Sequence, residues 1–239
     1  MIGTAINALA ILAGGAVGLK SNWDLPVHRQ QNLRILLGVF AVYFGIRSFW
    51  IGIGTPGGRR LQTFVVVLIA LMLGKLTGSL VGIQRHLNLL GKYARARYES
   101  ARGSAERAFA DGFLGGTILY CLAPLATVGA IQDGLVGDFR ALILKAIMDG
   151  MATVAFARSF GWSIIASALP VVAYQGTVSL ATRALAPELE ERLLLGPIYA
   201  TTGFIVFAVA LVILQLRKTE VSDYLPALVF APVLSWLVM

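Results

Sequence analysis

Charged side chains, cysteine and histidine are scarce in this chain of 239 residues. Charged residues make up 13% of the chain and hydrophobic residues 57%, whereas soluble domains have about 25% and about 45 to 50%. This composition excludes an ordinary soluble fold. The single cysteine, Cys121, excludes a disulfide framework within the chain and a thiolate metal site. Since the only histidines, His28 and His86, lie outside the apolar runs, we expect no bound metal and no cofactor.

Long apolar runs recur along the whole sequence with short gaps between them. A helix needs about 20 apolar residues to cross the hydrocarbon core of a bilayer. The runs therefore predict an all-α fold, a polytopic transmembrane helix bundle of about eight spans, and a count of seven stays open. The first run is followed by polar residues rather than a cleavage site, so we expect a retained helix and not a signal peptide. The predicted spans are residues 3–20, 33–54, 61–83, 112–132, 139–158, 160–183, 193–216 and 222–239.

The net charge of +8 follows a topology pattern. Basic residues concentrate in the loops that lie inside if the N-terminus is outside, and the positive-inside rule then places both termini outside. We therefore expect a multi-pass protein with the lipid bilayer, and not nucleic acid, as its partner. The longest loop, residues 85–111, fits either a basic amphipathic helix on anionic headgroups or a solvated connector. The inner basic residues are Lys20, Arg29, Arg34, Arg85, Lys92, Arg95, Arg97, Arg102, Arg107, Arg158, Arg217 and Lys218; the outer ones are Arg59, Arg60, Arg140, Arg183 and Arg192.

An offset of 158 positions aligns the first part of the chain with the last part, without a gap. Five spans separate the first helix from its counterpart, so the two three-helix units face opposite ways and form an inverted repeat, as in many secondary transporters. The single membrane domain, 1–239, then divides into repeat A 3–81, the connecting amphipathic loop 85–111, a central helix pair 112–158 and repeat B 161–239. The matches include Gly3 with Gly161, Gly18 with Gly176, Arg34 with Arg192, Gly38 with Gly196, Gly45 with Gly203 and Arg59 with Arg217.

Glycine and proline interrupt the first and sixth predicted spans at corresponding places. Transporter sites often lie where such helices are broken, because the freed backbone groups must line a cavity or be buried. The alternative is that the glycines only allow helices to pack closely. The candidate helix-break residues are Gly14, Gly15 and Gly18 in the first helix, and Pro170 and Gly176 in the sixth.

Two related motifs, GAIQDG at 129–134 and KAIMDG at 145–150, place acids in or near the membrane. Asp133 stands at a helix end, where an interfacial cap is an equal alternative to a site role. Asp149 lies within a span, where a bare charge costs several kcal/mol. Lys145 is one helical turn away on the same face, so the two fit an ion pair. The pair either holds the bundle together or lines a polar cavity that binds a solute or ion.

The cavity hypothesis groups polar residues from several predicted spans. In that interpretation Asp149, and Asp133 in a lesser role, exchange a proton or cation, while Lys145 binds an anion or keeps Asp149 ionised. The predicted substrate- or ion-binding residues are Asp149, Lys145, Asp133, Gln132, Gln175, Tyr174 and Asn7.

The segments LAPLATVGAIQDGLVGD, LKAIMDGMATVAFA, ASALPVVAYQG and YLPALVFAPVL resemble domain of unknown function 554, a family of bacterial inner-membrane proteins of the YdfK and YqgA type. The resemblance covers nearly the whole chain. It implies a polytopic helical fold in the bacterial inner (cytoplasmic) membrane and no assigned substrate. Ser79, Gln84 and Arg85 depart from the family pattern, which often has acids in that segment. The polar membrane positions of the pattern fall on Gln132, Asp133, Lys145, Asp149, Tyr174 and Gln175.

These features favour a secondary transporter or exchanger of a small polar solute or ion. The alternatives are an ion or solute channel and a non-transporting membrane assembly or regulatory subunit. Two aspartates on adjacent helices suggest an aspartyl protease, but no Gly-x-Gly-Asp motif surrounds either one, so we expect no enzymatic activity. A homo-oligomer stays open.

Overall fold

The computed structural model describes residues 1–20, 26–54, 60–100 and 105–238, and all regular secondary structure in them is helical. This confirms the predicted all-α class. The helices are α1 (Ile2–Lys20), α2 (Val27–Ile53), α3 (Arg60–Val81), α4 (Ile83–Ser100), α5 (Ala105–Cys121), α6 (Pro124–Val136), α7 (Arg140–Phe160), α8 (Trp162–Ala166), α9 (Ala168–Glu191), α10 (Leu195–Ile213) and α11 (Ala227–Val238), with a 3₁₀ turn at Val221–Tyr224.

Six helices in the described residues are long and apolar enough to cross a membrane, and the count is seven if the bent pair α5–α6 forms one span. The six are α1, α2, α3, the α8–α9 segment Trp162–Glu191, α10 and Val221–Val238. The remaining predicted span, residues 139–158, corresponds to α7. This helix has 21 residues, enough to cross, but it carries Lys145, Asp149 and Arg158 and is not among the six. The number of eight membrane spans therefore stays a prediction, and it requires that α7 also crosses the membrane, inside the bundle.

Helices α2 and α10 pack antiparallel through glycines spaced seven residues apart. A Cβ on Gly45 would lie 2.7 Å from the backbone nitrogen of Phe207, and one on Gly52 would lie 2.6 Å from the carbonyl oxygen of Gly196. Seven residues are close to two helical turns, so the glycines share one face and allow the backbones to touch. The two helices are counterparts in the predicted repeat, although the repeat itself stays a prediction.

Helices α1 and α7 pack parallel to each other. Gly3 lies against Leu142, and a Cβ on Gly14 or on Gly18 would overlap the backbone carbonyl of Gly150 or of Val154, respectively. The prediction that glycines interrupt the first helix is therefore wrong, because α1 is continuous from Ile2 to Lys20. Its glycines serve close packing instead, which is the alternative that their small size allows.

Helix breaks occur elsewhere in the bundle. The fourth predicted span divides into α5 and α6, which are bent by 58° about Leu122 and Ala123. Pro124 is the first residue of α6, a position that tolerates its missing N–H. The sixth predicted span divides at Ser167, three residues before Pro170. Gly176 lies inside α9, where an added Cβ would make ordinary contact with Met1.

Both described termini lie at one end of the bundle, which we call the terminal end. Gly3 contacts Phe139 at the start of α7, and the Gln62 side chain donates a hydrogen bond to the carbonyl of Val238. Residues of the α2 C-terminal turn and of the α6–α7 loop, Ile51 and Gly137, line one cavity there. The predicted loop 85–111 is helical over α4 and again from Ala105, while residues 101–104 of it lie outside the described residues.

Candidate functional site

The Lys145 and Asp149 side chains form an ion pair inside the bundle. The Lys145 ammonium lies 2.5 Å from the Asp149 carboxylate, and the two side chains are 2% and 10% exposed. Their spacing of four residues places both on one face of α7, which satisfies the prediction of a neighbouring partner. Because each buried charge would be costly alone, the pair is a single electrostatic unit.

Two buried amides from other helices adjoin this pair. Asn7 of α1 donates to the Gln175 side chain of α9 over 3.3 Å, and the Asn7 side chain also interacts with the Asp149 carboxylate. Both amides are 0% exposed. Among the described residues, the Asn7 side-chain oxygen and the Gln175 side-chain nitrogen have no hydrogen-bond partner. One unused acceptor and one unused donor therefore lie beside the ion pair, although buried polar atoms are normally satisfied.

Tyr120, the penultimate residue of α5, extends this network toward the break between α5 and α6. Its hydroxyl lies 2.7 Å from that of Thr153, and Thr153 donates to the Asp149 backbone carbonyl over 2.6 Å, which leaves Tyr120 as the donor to Thr153. The Lys145 ammonium lies 5.9 Å from the centre of the Tyr120 ring, within the range of a cation–π contact. The break thus adjoins the ion pair through Tyr120.

The break also frees a backbone acceptor. In a continuous helix the Tyr120 carbonyl would accept from the N–H four residues later, but that residue is Pro124, which has none. Free carbonyls at membrane depth occur where they are buried in protein or line a polar cavity. The last turn of α5 also carries the negative end of a helix dipole, which favours a nearby cation such as Lys145.

Three of the predicted site residues lie in separate contacts. Gln132 donates to Thr202 over 2.9 Å, and the Tyr174 hydroxyl lies 2.7 Å from that of Thr127. Asp133 accepts from the Gly3 N–H and from the Met1 ammonium, at 3.2 Å and 2.8 Å. The structure therefore brings together Asn7, Lys145, Asp149 and Gln175, while these three residues join α6 to α10, α9 and α1.

Two further polar clusters lie near the ends of the bundle and were not predicted as sites. At the terminal end, Asp138 accepts from Tyr199 and pairs with Arg140 and Arg47 over 3.1 Å and 3.6 Å, beside a cavity of about 380 Å³. Asp138 carried no site signal in the sequence, because its partners come from three separate helices.

At the opposite end, Asp223 joins α3, α4 and the 3₁₀ turn. Its carboxylate accepts from the Gln84 N–H at the start of α4 over 2.8 Å and pairs with Lys75 over 2.9 Å. The Gln84 side chain accepts in return from the Ser222 N–H over 3.0 Å. This exchange anchors α4 to the bundle.

Comparison with known proteins agrees with the membrane fold. The chain is 25% identical over 239 residues to the uncharacterized membrane protein YdfK of Bacillus subtilis (strain 168), covering 100% of this chain and 97% of that one. It is 27% identical over 236 residues to the uncharacterized protein YqgA of Escherichia coli (strain K12), covering 98% and 96%. No solved structure matches. The model of the protein family of unknown function DUF554 matches residues 2–236, and the chain belongs to that family.

Proposed function

We propose that this membrane protein is a secondary transporter or exchanger of a small polar solute or ion, with its site around Lys145 and Asp149. The observation that carries the proposal is the buried ion pair beside two buried, unused polar atoms, the Asn7 side-chain oxygen and the Gln175 side-chain nitrogen. An ion pair that served only to join helices would need neither of these two unused atoms beside it. Intramembrane charges of this kind commonly mark an ion or substrate pathway.

The origin of the site residues supports movement between two states. Asn7 and Gln175 belong to α1 and α9, counterparts in the predicted inverted repeat, whereas Lys145 and Asp149 belong to the central α7. Rocking of one repeat against the other would change the distances between these groups. Such rearrangement around a midplane site is the usual basis of alternating access.

The chemistry of the four side chains assigns their roles. Asp149 takes up a proton or cation and releases Lys145, which then binds an anion or repels the next cation. The unused oxygen of Asn7 accepts from, or coordinates, a positively charged group, and the unused N–H of Gln175 donates to a negatively charged one. The set therefore suits a small ion or a polar solute that carries both donors and acceptors.

A two-part experiment tests the proposal. A thermal-shift screen of the purified protein against ions and metabolites across pH first finds ligands, because a ligand at 100 times its dissociation constant stabilises by about 2.7 kcal/mol. Gradient-driven uptake and counterflow of each hit are then measured in proteoliposomes. We expect saturable counterflow that is lost in Asp149→Asn and kept in Glu188→Gln, an exposed acid on α9 used as the matched control.

Three results would contradict the proposal. Normal uptake by folded Asp149→Asn protein would remove Asp149 from the mechanism. Uptake without counterflow would indicate a channel. If no ligand stabilises the protein and no flux occurs, the non-transporting subunit becomes the better interpretation.

A further inference from the structure

A cleft of about 720 Å³ lies on the membrane-facing side of the bundle, between α1, α2 and α7. Its walls are mainly small and apolar, and include Ala13, Val17, Leu33, Leu37 and Met151. Ala13 and Val17 are exposed, so the cleft is open along α1. It is distinct from the interior site, because neither Lys145 nor Asp149 lines it.

One end of the cleft is basic. Arg34, in the second turn of α2, and Arg158, in the last turn of α7, line it together with Gln30. The described residues that line the cleft include no aspartate or glutamate. Arg34 is only partly exposed, and it has no ion-pair or hydrogen-bond partner in the part of the chain that the structure describes. A partly desolvated guanidinium without a carboxylate is a binding position for an external anion.

The repeat offers an internal comparison for Arg34. The offset of 158 residues aligns Arg34 with Arg192 and Gln30 with Glu188. Arg192 forms an ion pair with Glu188 over 2.6 Å, one helical turn earlier. At the corresponding place beside the cleft the acid is an amide, Gln30, so Arg34 lacks the ion pair that Arg192 forms. The two copies therefore differ at this position, and Arg34 is the one that lines the cleft.

We propose that this cleft binds an anionic phospholipid, with one acyl chain along the apolar walls and the phosphate on Arg34 and Arg158. The combination of a membrane-exposed apolar channel and two arginines at one end complements an amphipathic anion. A free anion would gain nothing from the apolar walls, and a neutral lipid would gain little from the arginines. The predicted topology places this end in the cytoplasmic leaflet, where basic pockets between helices bind anionic headgroups.

Native mass spectrometry of the delipidated full-length protein tests the headgroup. The protein is titrated with phosphatidylglycerol or with phosphatidylcholine of the same chains. We expect preferential binding of phosphatidylglycerol and about fivefold weaker binding in Arg34→Gln or Arg158→Gln, since each interfacial arginine contributes about a factor of five. Arg34→Lys should retain most of the binding, because it keeps the charge. Arg192→Gln is the matched control and should bind as the wild type does.

A second pair of variants tests the acyl-chain channel. Ala13→Trp fills the cleft without changing its charge and should abolish the preference for phosphatidylglycerol. Ala16→Trp adds the same side chain on the same helix at an exposed position that does not line the cleft, and should leave binding unchanged. Thermal unfolding of each variant in the same detergent identifies any that misfold, and a misfolded variant is replaced by Ala13→Phe with Ala16→Phe.

Three outcomes would overturn the proposal. Equal affinities for the two lipids would show that the arginines do not select the headgroup. Equal loss in Arg34→Gln and Arg192→Gln would show a general surface-charge effect. Stabilisation by inorganic phosphate as large as that by phosphatidylglycerol, and insensitive to Ala13→Trp, would indicate a site for a free anion. None of these outcomes depends on whether the protein transports a solute.

Discussion

Gly45 of α2 and Gly203 of α10 meet where the two helices cross, each against the other's backbone. A Cβ on Gly45 would lie 2.9 Å from the Gly203 carbonyl oxygen, and one on Gly203 would lie 2.7 Å from the Gly45 carbonyl oxygen. The Cβ on Gly45 would also crowd the backbone nitrogen of Phe207, and the Cβ on Gly203 would crowd that of Phe49. Each of these nitrogens belongs to the residue four positions after the partner glycine. The repeat offset of 158 residues relates Gly45 to Gly203 and Phe49 to Phe207, so it exchanges the two sides of this contact. A twofold axis through the crossing point would produce such reciprocity.

Alanine at either glycine should therefore destabilise the protein, and by a similar amount. The added methyl group meets backbone that cannot rotate away, so α2 and α10 must separate, at a cost of about 1 to 3 kcal/mol. The measurement is thermal or denaturant unfolding in detergent. Gly91→Ala is the control: nothing lies within 4 Å of its added Cβ, and alanine favours a helix by about 1 kcal/mol over glycine. A marked difference between Gly45→Ala and Gly203→Ala would count against the symmetric crossing.

Removing one member of the Lys145–Asp149 pair should cost more than removing both. Lys145→Met leaves the Asp149 carboxylate buried without its cation, which costs about 3 to 5 kcal/mol, whereas Lys145→Met with Asp149→Leu should be near neutral in stability. Unfolding of the single and double variants measures the difference. We expect the double variant to fold and to show no transport. A folded double variant with wild-type flux would reduce the pair to a structural role.

The pair could be predicted from the sequence because both residues lie on one helix, and helical geometry fixes their separation. Asn7 and Gln175 are 168 residues apart, so their contact depends on how α1 and α9 pack. The residues alone indicated that both were polar and within spans. They did not indicate that one atom of each would remain unused.

The glycines show a second limit. Gly14 and Gly18 were predicted to break a helix, but the same lack of a side chain allows α1 to lie against α7. Only the identity of the neighbouring helix distinguishes the two roles. The break occurs instead before Pro124, where the missing N–H is a property of the residue itself. Proline does not mark a break by itself either, because Pro187 lies inside α9 and Pro232 inside α11.

Asp223→Ala should loosen the start of α4. The substitution removes the carboxylate that accepts from the Gln84 N–H and pairs with Lys75. Hydrogen exchange should become faster at the first amides of α4, and stability should fall by about 1 to 2 kcal/mol, as for loss of a helix cap. Glu220→Gln removes only the exposed partner of Lys75 and should change stability by less than about 1 kcal/mol. Unchanged exchange in Asp223→Ala would mean that α4 is held by other contacts.

The orientation in the membrane is predicted to be both termini outside. The contacts of Gly3 and Val238 place the described termini at the terminal end, while Arg34 and Arg158 lie at the opposite end with the start of α4. By the positive-inside rule the end richer in arginine and lysine faces the cytoplasm. A reporter that is active only outside the cytoplasm should therefore work when fused after Met239. The same reporter inserted between Ala101 and Gly103 should be inactive, and a cytoplasm-specific reporter should show the reverse pattern. If the cytoplasm-specific reporter is active at the C-terminus, the orientation is inverted and the basic end of the cleft faces the outer leaflet.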